Sequence, residues 1–292
     1  TDKAAYVMQF VGPPFTFSVR QVGTNCGTIG HNAVAFADGK VFWMGDAGGF
    51  FMFDGTVKNL TCNVEDYVFQ DINYTSGQIV AAGVNNLFSE ITWFYPTESS
   101  SVIDRYVSFN FAESAAMPGG VWTTGSLART GWVDADVQPK PYATEYISNT
   151  QTSDTPLIYG NTQGITKMYK HETGNNAVTA TGTSTAIAAH IQSGDFDLDV
   201  DGDGEYIMKI RRFIPDFKTL TGTAKISLNL KDYPADSETA SGLSPVSITS
   251  TTTKVDMRAR ARLINLKVEN DGKNETWRFG TFRADIQPDG RR

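Results

Sequence analysis

Two charged runs hold the residues whose spacing could do chemistry. The first is acidic: Asp195, Asp197, Asp199, Asp201 and Asp203, broken by Gly202 and Gly204. From Asp197 it reproduces the opening D-x-D-x-D-G of a calcium loop, where oxygens from alternate residues converge on a hard cation. Asp197, Asp199, Asp201 and Asp203 are thus candidate calcium ligands. The twelfth position of such a loop is a bidentate Glu, and here it is Met208, which has no oxygen to offer. The other reading is an acidic strand, Asp195 to Asp201, that ends in a glycine turn.

The second run is basic, Met257 to Leu263, with Arg258, Arg260 and Arg262 at every other position. In a strand these guanidinium groups share one face at intervals of about 6.8 Å. Met257, Ala259, Ala261 and Leu263 then take the buried face. Such a row could track the phosphates of passing DNA. It could instead pair with the acidic row, which has the same two-residue period, because like charges so spaced repel unless opposite charges face them. Pairing is the expectation. Arg258, Arg260, Arg262, Asp195, Asp197 and Asp199 are therefore the candidate interface or lumen residues.

Catalytic motifs are missing. His31, His171 and His190 lie far apart, with no H-E-x-x-H pair. There is no G-x-S-x-G elbow and no phosphate loop. The chain reads as non-enzymatic and without a cofactor. Aromatic groups at Phe42-Trp43, Trp93-Phe94-Tyr95 and Trp122 could stack on sugars, but their strand positions point to core packing.

The elements around these runs read as strands. Lys40–Gly45 with Gly48–Gly55, and Glu90–Tyr95 with Asp104–Phe109, form aromatic hairpins closed at Gly, Pro or polar turns. Pro156–Gly160 with Gly164–Tyr169 repeats the design. Recurrence at about 50–65 residues suits blades of about four strands. The opening Ala4–Phe10 is already a strand, which predicts a piece of a longer chain. One helical turn is expected at Val64–Asp71, capped by Asn63 and packing Tyr67 and Val68. After a Thr-, Ala- and Ser-rich stretch from Ala177 to Ala189 come longer alternating segments: Asp195–Val200, Tyr206–Phe213, Ala224–Leu230, Lys254–Lys267 and Trp277–Ile286.

The expected fold is all-β. Residues 1–176 form propeller-like blades, incomplete without a preceding part. Residues 190–292 form a C-terminal antiparallel unit, either a sandwich or closing blades.

Composition agrees. Hydrophobic residues make up 40% of the 292 and aromatics 12%, which rules out a disordered chain. The net charge of −7 leaves no chain-wide basic footprint for nucleic acid. No apolar run approaches the roughly 18 residues of a membrane span. Cys26 and Cys62 are too few for a disulfide framework and are expected as free thiols.

Several segments together resemble one family: Asn25–Gly30, Val41–Gly45, Phe50–Gly55, Val84-Asn85 with Trp93–Pro96, Asp104–Tyr106 and Leu127–Thr130. Ser193–Asp197, Arg212–Phe217, Trp277–Gly280 and Pro288–Arg292 extend the likeness. In this order they are similar to the C-terminal part of the tail nozzle, or tail hub, proteins of short-tailed bacteriophages. The resemblance implies a structural virion protein assembled in the bacterial cytoplasm. It implies a ring-shaped homo-oligomer, a hexamer, below the portal and adaptor proteins, with a needle or plug at its far end. The lumen would conduct double-stranded DNA through transient, non-specific contact, without membrane insertion. An acidic lumen would not hold a sliding polyanion. The alternative function is a glycan-binding module of a tail tip or surface.

Overall fold

The computed structural model describes residues 1–135, 137–147, 165–179, 182–198, 206–242, 244–281 and 283–291. It is all-β, with antiparallel pairing throughout the described sheets and little helix. The chain divides into two compact units, Thr1–Thr173 and Gly174–Arg292.

Unit 1 opens on a hairpin, β1 (Ala4–Phe10) with β2 (Phe17–Thr24). A four-stranded meander follows: β3 (Val34–Ala37), β4 (Lys40–Met44), β5 (Phe50–Phe53) and β6 (Val57–Leu60). Asp38 and Gly39 join β3 to β4 with φ of 49° and 71°. Positive φ at both central residues is what a tight hairpin turn demands and what Asp-Gly supplies.

Helix α1 (Glu65–Asp71) leads out of this first blade. Its cap is Val64, with no side-chain hydrogen bond, so the expected Asn63 cap is not used. Val68 is fully buried but Tyr67 is 50% exposed, so the helix packs one of the two expected side chains.

The second meander is β7 (Ala81–Asn85), β8 (Glu90–Tyr95), β9 (Arg105–Asn110) and β10 (Trp122–Gly125). The third sheet is β11 (Gly131–Val133), β12 (Tyr142–Ile147) and β13 (Ile165–Lys170). The expected strand at Pro156–Gly160 lies outside the described residues.

The middle blade packs on both faces, which is why β8 is an almost continuous apolar run. Ile91, Trp93 and Tyr95 join Phe42, Met44 and Phe50 of the first blade in one core. Phe94, on the opposite face, packs with Ala81, Ile103 and Trp132 on the side of the third sheet. Burying each such side chain stabilises the fold by about 1.5–3 kcal/mol. The first strands of successive sheets are neighbours, β3 beside β7 and β7 beside β11. That is a propeller-like succession of blades.

Tryptophans bolt these layers together. Trp93 donates its indole N–H to Ala33 O at 3.0 Å, Trp122 to Thr61 O at 3.0 Å and Trp132 to Val84 O at 2.6 Å. Each bond runs from one blade to the segment before it. Trp43 does the same towards Cys26 O, at 2.8 Å. Both cysteines are free thiols, and burial pushes the Cys62 thiol up to about 12.

Unit 2 begins with the short pair β14 (Asn176–Val178) and β15 (Ser184–Ala186), then β16 (Ala189–Gln192), β17 (Tyr206–Ile214) and β18 (Phe217–Thr221). It continues through β19 (Ala224–Lys231), β20 (Thr239–Ala240), β21 (Val246–Ile248) and β22 (Val255–Ala261). It closes with β23 (Leu263–Asn270), β24 (Thr276–Phe279) and β25 (Arg283–Arg291). One sheet orders β16-β23-β19-β20 with β21 beside β19; another orders β22-β17-β25; β18 and β24 form a separate pair.

The two larger sheets share one core, containing Met208, Ile210, Ile226, Leu228, Met257, Ala259, Leu266 and Val268. Unit 2 is therefore a sandwich. The segment Lys254–Lys267, expected as a single strand, breaks at Arg262, where the chain passes from the β22 sheet to the β23 sheet. Strands that change sheets bend at the sandwich corner. Likewise Trp277–Ile286 is two strands, β24 on β18 and β25 on β17.

Candidate functional site

The outer face of the β22-β17-β25 sheet gathers the arginines of the basic run. Strand β22 alternates strictly, with Val255, Met257, Ala259 and Ala261 buried and Asp256, Arg258 and Arg260 exposed. Leu263, expected on the same buried face, begins the next strand and is half-buried. Arg262 sits half-buried at the corner.

The ladder sets Lys209 of β17 opposite Arg260 on one side and Gln287 of β25 on the other. A register shift between Ile210 and Arg212 leaves both Arg211 and Arg212 exposed. A bulge of this kind puts two consecutive side chains on the solvent side. On β25, Ala284 and Ile286 pack inward, so Arg283, Asp285, Gln287 and Asp289 line the outer face.

Asp289 is the hub of this face. Arg260 reaches across β17, its Nε donating to Asp289 Oδ2 at 2.6 Å and its Nη2 to Asp289 O at 3.2 Å. Lys209 Nζ lies 4.0 Å from the same carboxylate. The hydrogen bond from Arg260, then the charges of Lys209, Arg260 and Arg211, hold the Asp289 carboxyl below its ordinary value. Arg212 pairs with Asp256 at 3.3 Å, and Arg283 with Asp216 at 3.1 Å. Among the described residues, Arg258 and Arg211 have no ion-pair partner. The face thus carries more cations than carboxylates, on a chain whose net charge is −7.

Among the described residues of the acidic row, Asp195 takes its partners away from the basic row. Phe196 bridges Ile264 of β23, which places Asp195 on the other sheet of the sandwich. There Asp195 accepts from Asn265 Nδ2 at 2.9 Å and Lys231 Nζ at 3.0 Å, and these two bonds lower its carboxyl. Asn265, 1% exposed, also donates to Glu238 and accepts from Gln192 and Asn229. Asp197 is exposed. Asp199, Asp201 and Asp203, the rest of the calcium-ligand candidates, lie outside the described residues. Among the described residues, no group of three or more His, Cys, Asp or Glu is placed to hold a metal.

The aromatics singled out as sugar platforms are core residues. Phe42 and Phe94 are 1% exposed, Trp93 and Tyr95 are fully buried, and Trp43 stacks on Phe51 at 5.7 Å. Trp122 packs between Phe50 and Phe109, at 4.7 and 4.6 Å.

One cluster in unit 1 gave no motif in the sequence. Arg129, 7% exposed, donates from Nε to His171 Nε2 at 2.9 Å and from Nη1 to Glu145 at 3.2 Å. Its guanidinium lies 4.2 Å from the Tyr169 ring centroid, and the His171 ring packs tilted against Trp132, centroids 4.7 Å apart. Burial, then the neighbouring Arg129 charge, pushes His171 down to about 4. Arg129 is a single basic residue between Ala128 and Thr130, so only its exceptional burial marks it.

No protein-family model matches the chain, and no curated protein matches it. Among solved structures, an exo-β-1,3-galactanase from Phanerochaete chrysosporium, determined with β-1,3-galactotriose, is similar at 9% identity and a TM-score of 0.28. That likeness covers 97% of this chain and 73% of the galactanase chain. At that TM-score it carries no argument about activity. No helix among the described residues is long and apolar enough to cross a membrane.

Proposed function

We propose that this chain is a structural, non-catalytic subunit of a short-tailed phage tail nozzle. In this reading it forms a ring that continues the DNA channel below the portal and adaptor and helps retain and eject the genome. The observation that carries the reading is the cation-rich outer face of β22, β17 and β25. Arg258, Arg260, Lys209 and Arg211 stand on the outer face of one sheet within an acidic chain. The outward residues named on that face include no aromatic ring. Single-stranded nucleic acid is held by base stacking on aromatics, so this surface suits the phosphates of a duplex. Local cations within an overall acidic chain favour contact that is weak and lets DNA slide.

Fluorescence anisotropy of a labelled duplex, titrated with the full-length protein over a range of salt, tests this. Three to four phosphate contacts predict a log–log salt slope of about −3. Changing Arg258 and Arg260 to Gln should make the slope shallower by about 2. A slope near zero in the wild type, or no change in the variant, would sink the DNA assignment. Mass measurement of the full-length protein tests the ring separately, with six identical chains as the expected result.

A further inference from the structure

Among the described residues, nothing covers the apolar face of the hairpin β1–β2. Met8 pairs with Val19 and Phe10 with Phe17, and the rings of Phe10 and Phe17 meet edge-on at 5.7 Å. Tyr6, Met8, Phe10, Phe17 and Val19 are 51–67% exposed, and Phe15 at the tip is 78% exposed. The other face holds Gln9, Ser18 and Arg20. With Val11, the apolar side leaves roughly 700 Å² in water, taking about 150–250 Å² for each aromatic when whole. That exceeds the few hundred Å² a monomer usually exposes. It comes close to the roughly 800 Å² one partner contributes to a standard interface. A two-stranded ribbon is also marginal in water unless its apolar side is covered.

A receptor for the tip exists on the same chain. Tyr6, Val7 and Val22 at the root of the hairpin, with Val34, Val41 and Phe53 of the first blade, line an open apolar groove of about 370 Å³. The tip cannot reach its own groove. Paired strands of seven or eight residues hold the two ends about 20 Å apart. The Phe15 tip and the groove are separate patches of one chain, which is the arrangement of a head-to-tail contact, and such contacts form a ring where the rotation from copy to copy closes.

We infer that the β1–β2 arm docks on a second copy of this chain, its Phe15 tip seated in the groove at the root of the neighbour's arm. This rests on the ring reading above for the second copy and names the surface that makes the ring. The experiment uses the full-length protein, followed by native mass spectrometry and sedimentation. Phe15→Asp and Phe10→Asp should each weaken self-association at least about 30-fold, as loss of a central aromatic anchor does. Val137→Asp, at a side chain 91% exposed elsewhere in unit 1, should change nothing. A benzophenone amino acid at position 15 should cross-link to residues 34–53 of a different copy, distinguished by mixing isotope-labelled and unlabelled protein. An intrachain adduct, an adduct elsewhere, or an equal effect of Val137→Asp would overturn the inference. A wild type that stays monomeric removes the ring reading itself. A wild type that associates but ignores Phe15→Asp removes only the arm.

Discussion

His171 should make the stability of unit 1 depend on pH, and replacing it with Gln should remove that dependence. Its Nε2 accepts the hydrogen bond from Arg129, so the folded ring must be neutral, with its proton on Nδ1. An imidazolium would turn that acceptor into a donor facing another donor. The folded value of about 4 lies below the ordinary 6.5. Between those two values the unfolded chain binds the proton and the folded chain does not. Stability is therefore fully present above about pH 6.5 and drains away as pH falls towards 4. At about 1.4 kcal/mol per pH unit the gap corresponds to about 3 kcal/mol. Partial solvent access reduces this to about 1–3 kcal/mol. His171→Gln keeps an acceptor for Arg129 and cannot titrate. Urea unfolding followed by tryptophan fluorescence reports mainly on unit 1, because Trp43, Trp93, Trp122 and Trp132 lie there and only Trp277 lies in unit 2. Carboxylates titrate alike in both proteins, so the difference between the two curves isolates the histidine. Parallel loss of stability in wild type and variant from pH 6.5 to 4 would refute the argument.

Other outcomes follow from the same contacts. Trp93→Phe removes the indole bond to Ala33 O and leaves a small cavity between blades. Unit 1 should lose about 2–4 kcal/mol by urea titration. Arg260→Gln should raise the Asp289 carboxyl, seen as a later midpoint in its NMR titration, since the Arg260 bond is the largest influence holding it down. Asn265→Ala strips partners from Asp195, Glu238, Gln192 and Asn229 together and should cost unit 2 about 1–3 kcal/mol. Cys62 should react with a disulfide reagent at mildly alkaline pH far more slowly in the native protein than in urea, because its thiol is pushed up to about 12.

Local periodicity was enough to read the strands. The alternation of β22 follows from a two-residue repeat that any strand imposes, so the exposed positions of Arg258 and Arg260 were legible from Met257 to Ala261. Asp-Gly and Gly-Gly turns marked the hairpins for the same reason, since positive φ is a property of single residues. The first and second blades could therefore be seen in the aromatic runs at Lys40–Met44 and Glu90–Tyr95. What the chain does at a distance was not legible. The basic run and the acidic run share a period, but Arg260 finds Asp289 on one sheet and Asp195 finds Lys231 and Asn265 on the other, and no local rule places the corner at Arg262 between those sheets. Asp289 meets Arg260 only because β17 lies between their strands, a pairing set by burial of the sheet's inner face against the other sheet. Arg129 and His171 are 42 residues apart, and the chemistry of that histidine comes entirely from the desolvation and charge that folding brings to it. Residue type and spacing determine which face a side chain takes. Only the tertiary packing decides which side chains then share that face, because register between distant strands is chosen by the whole core at once.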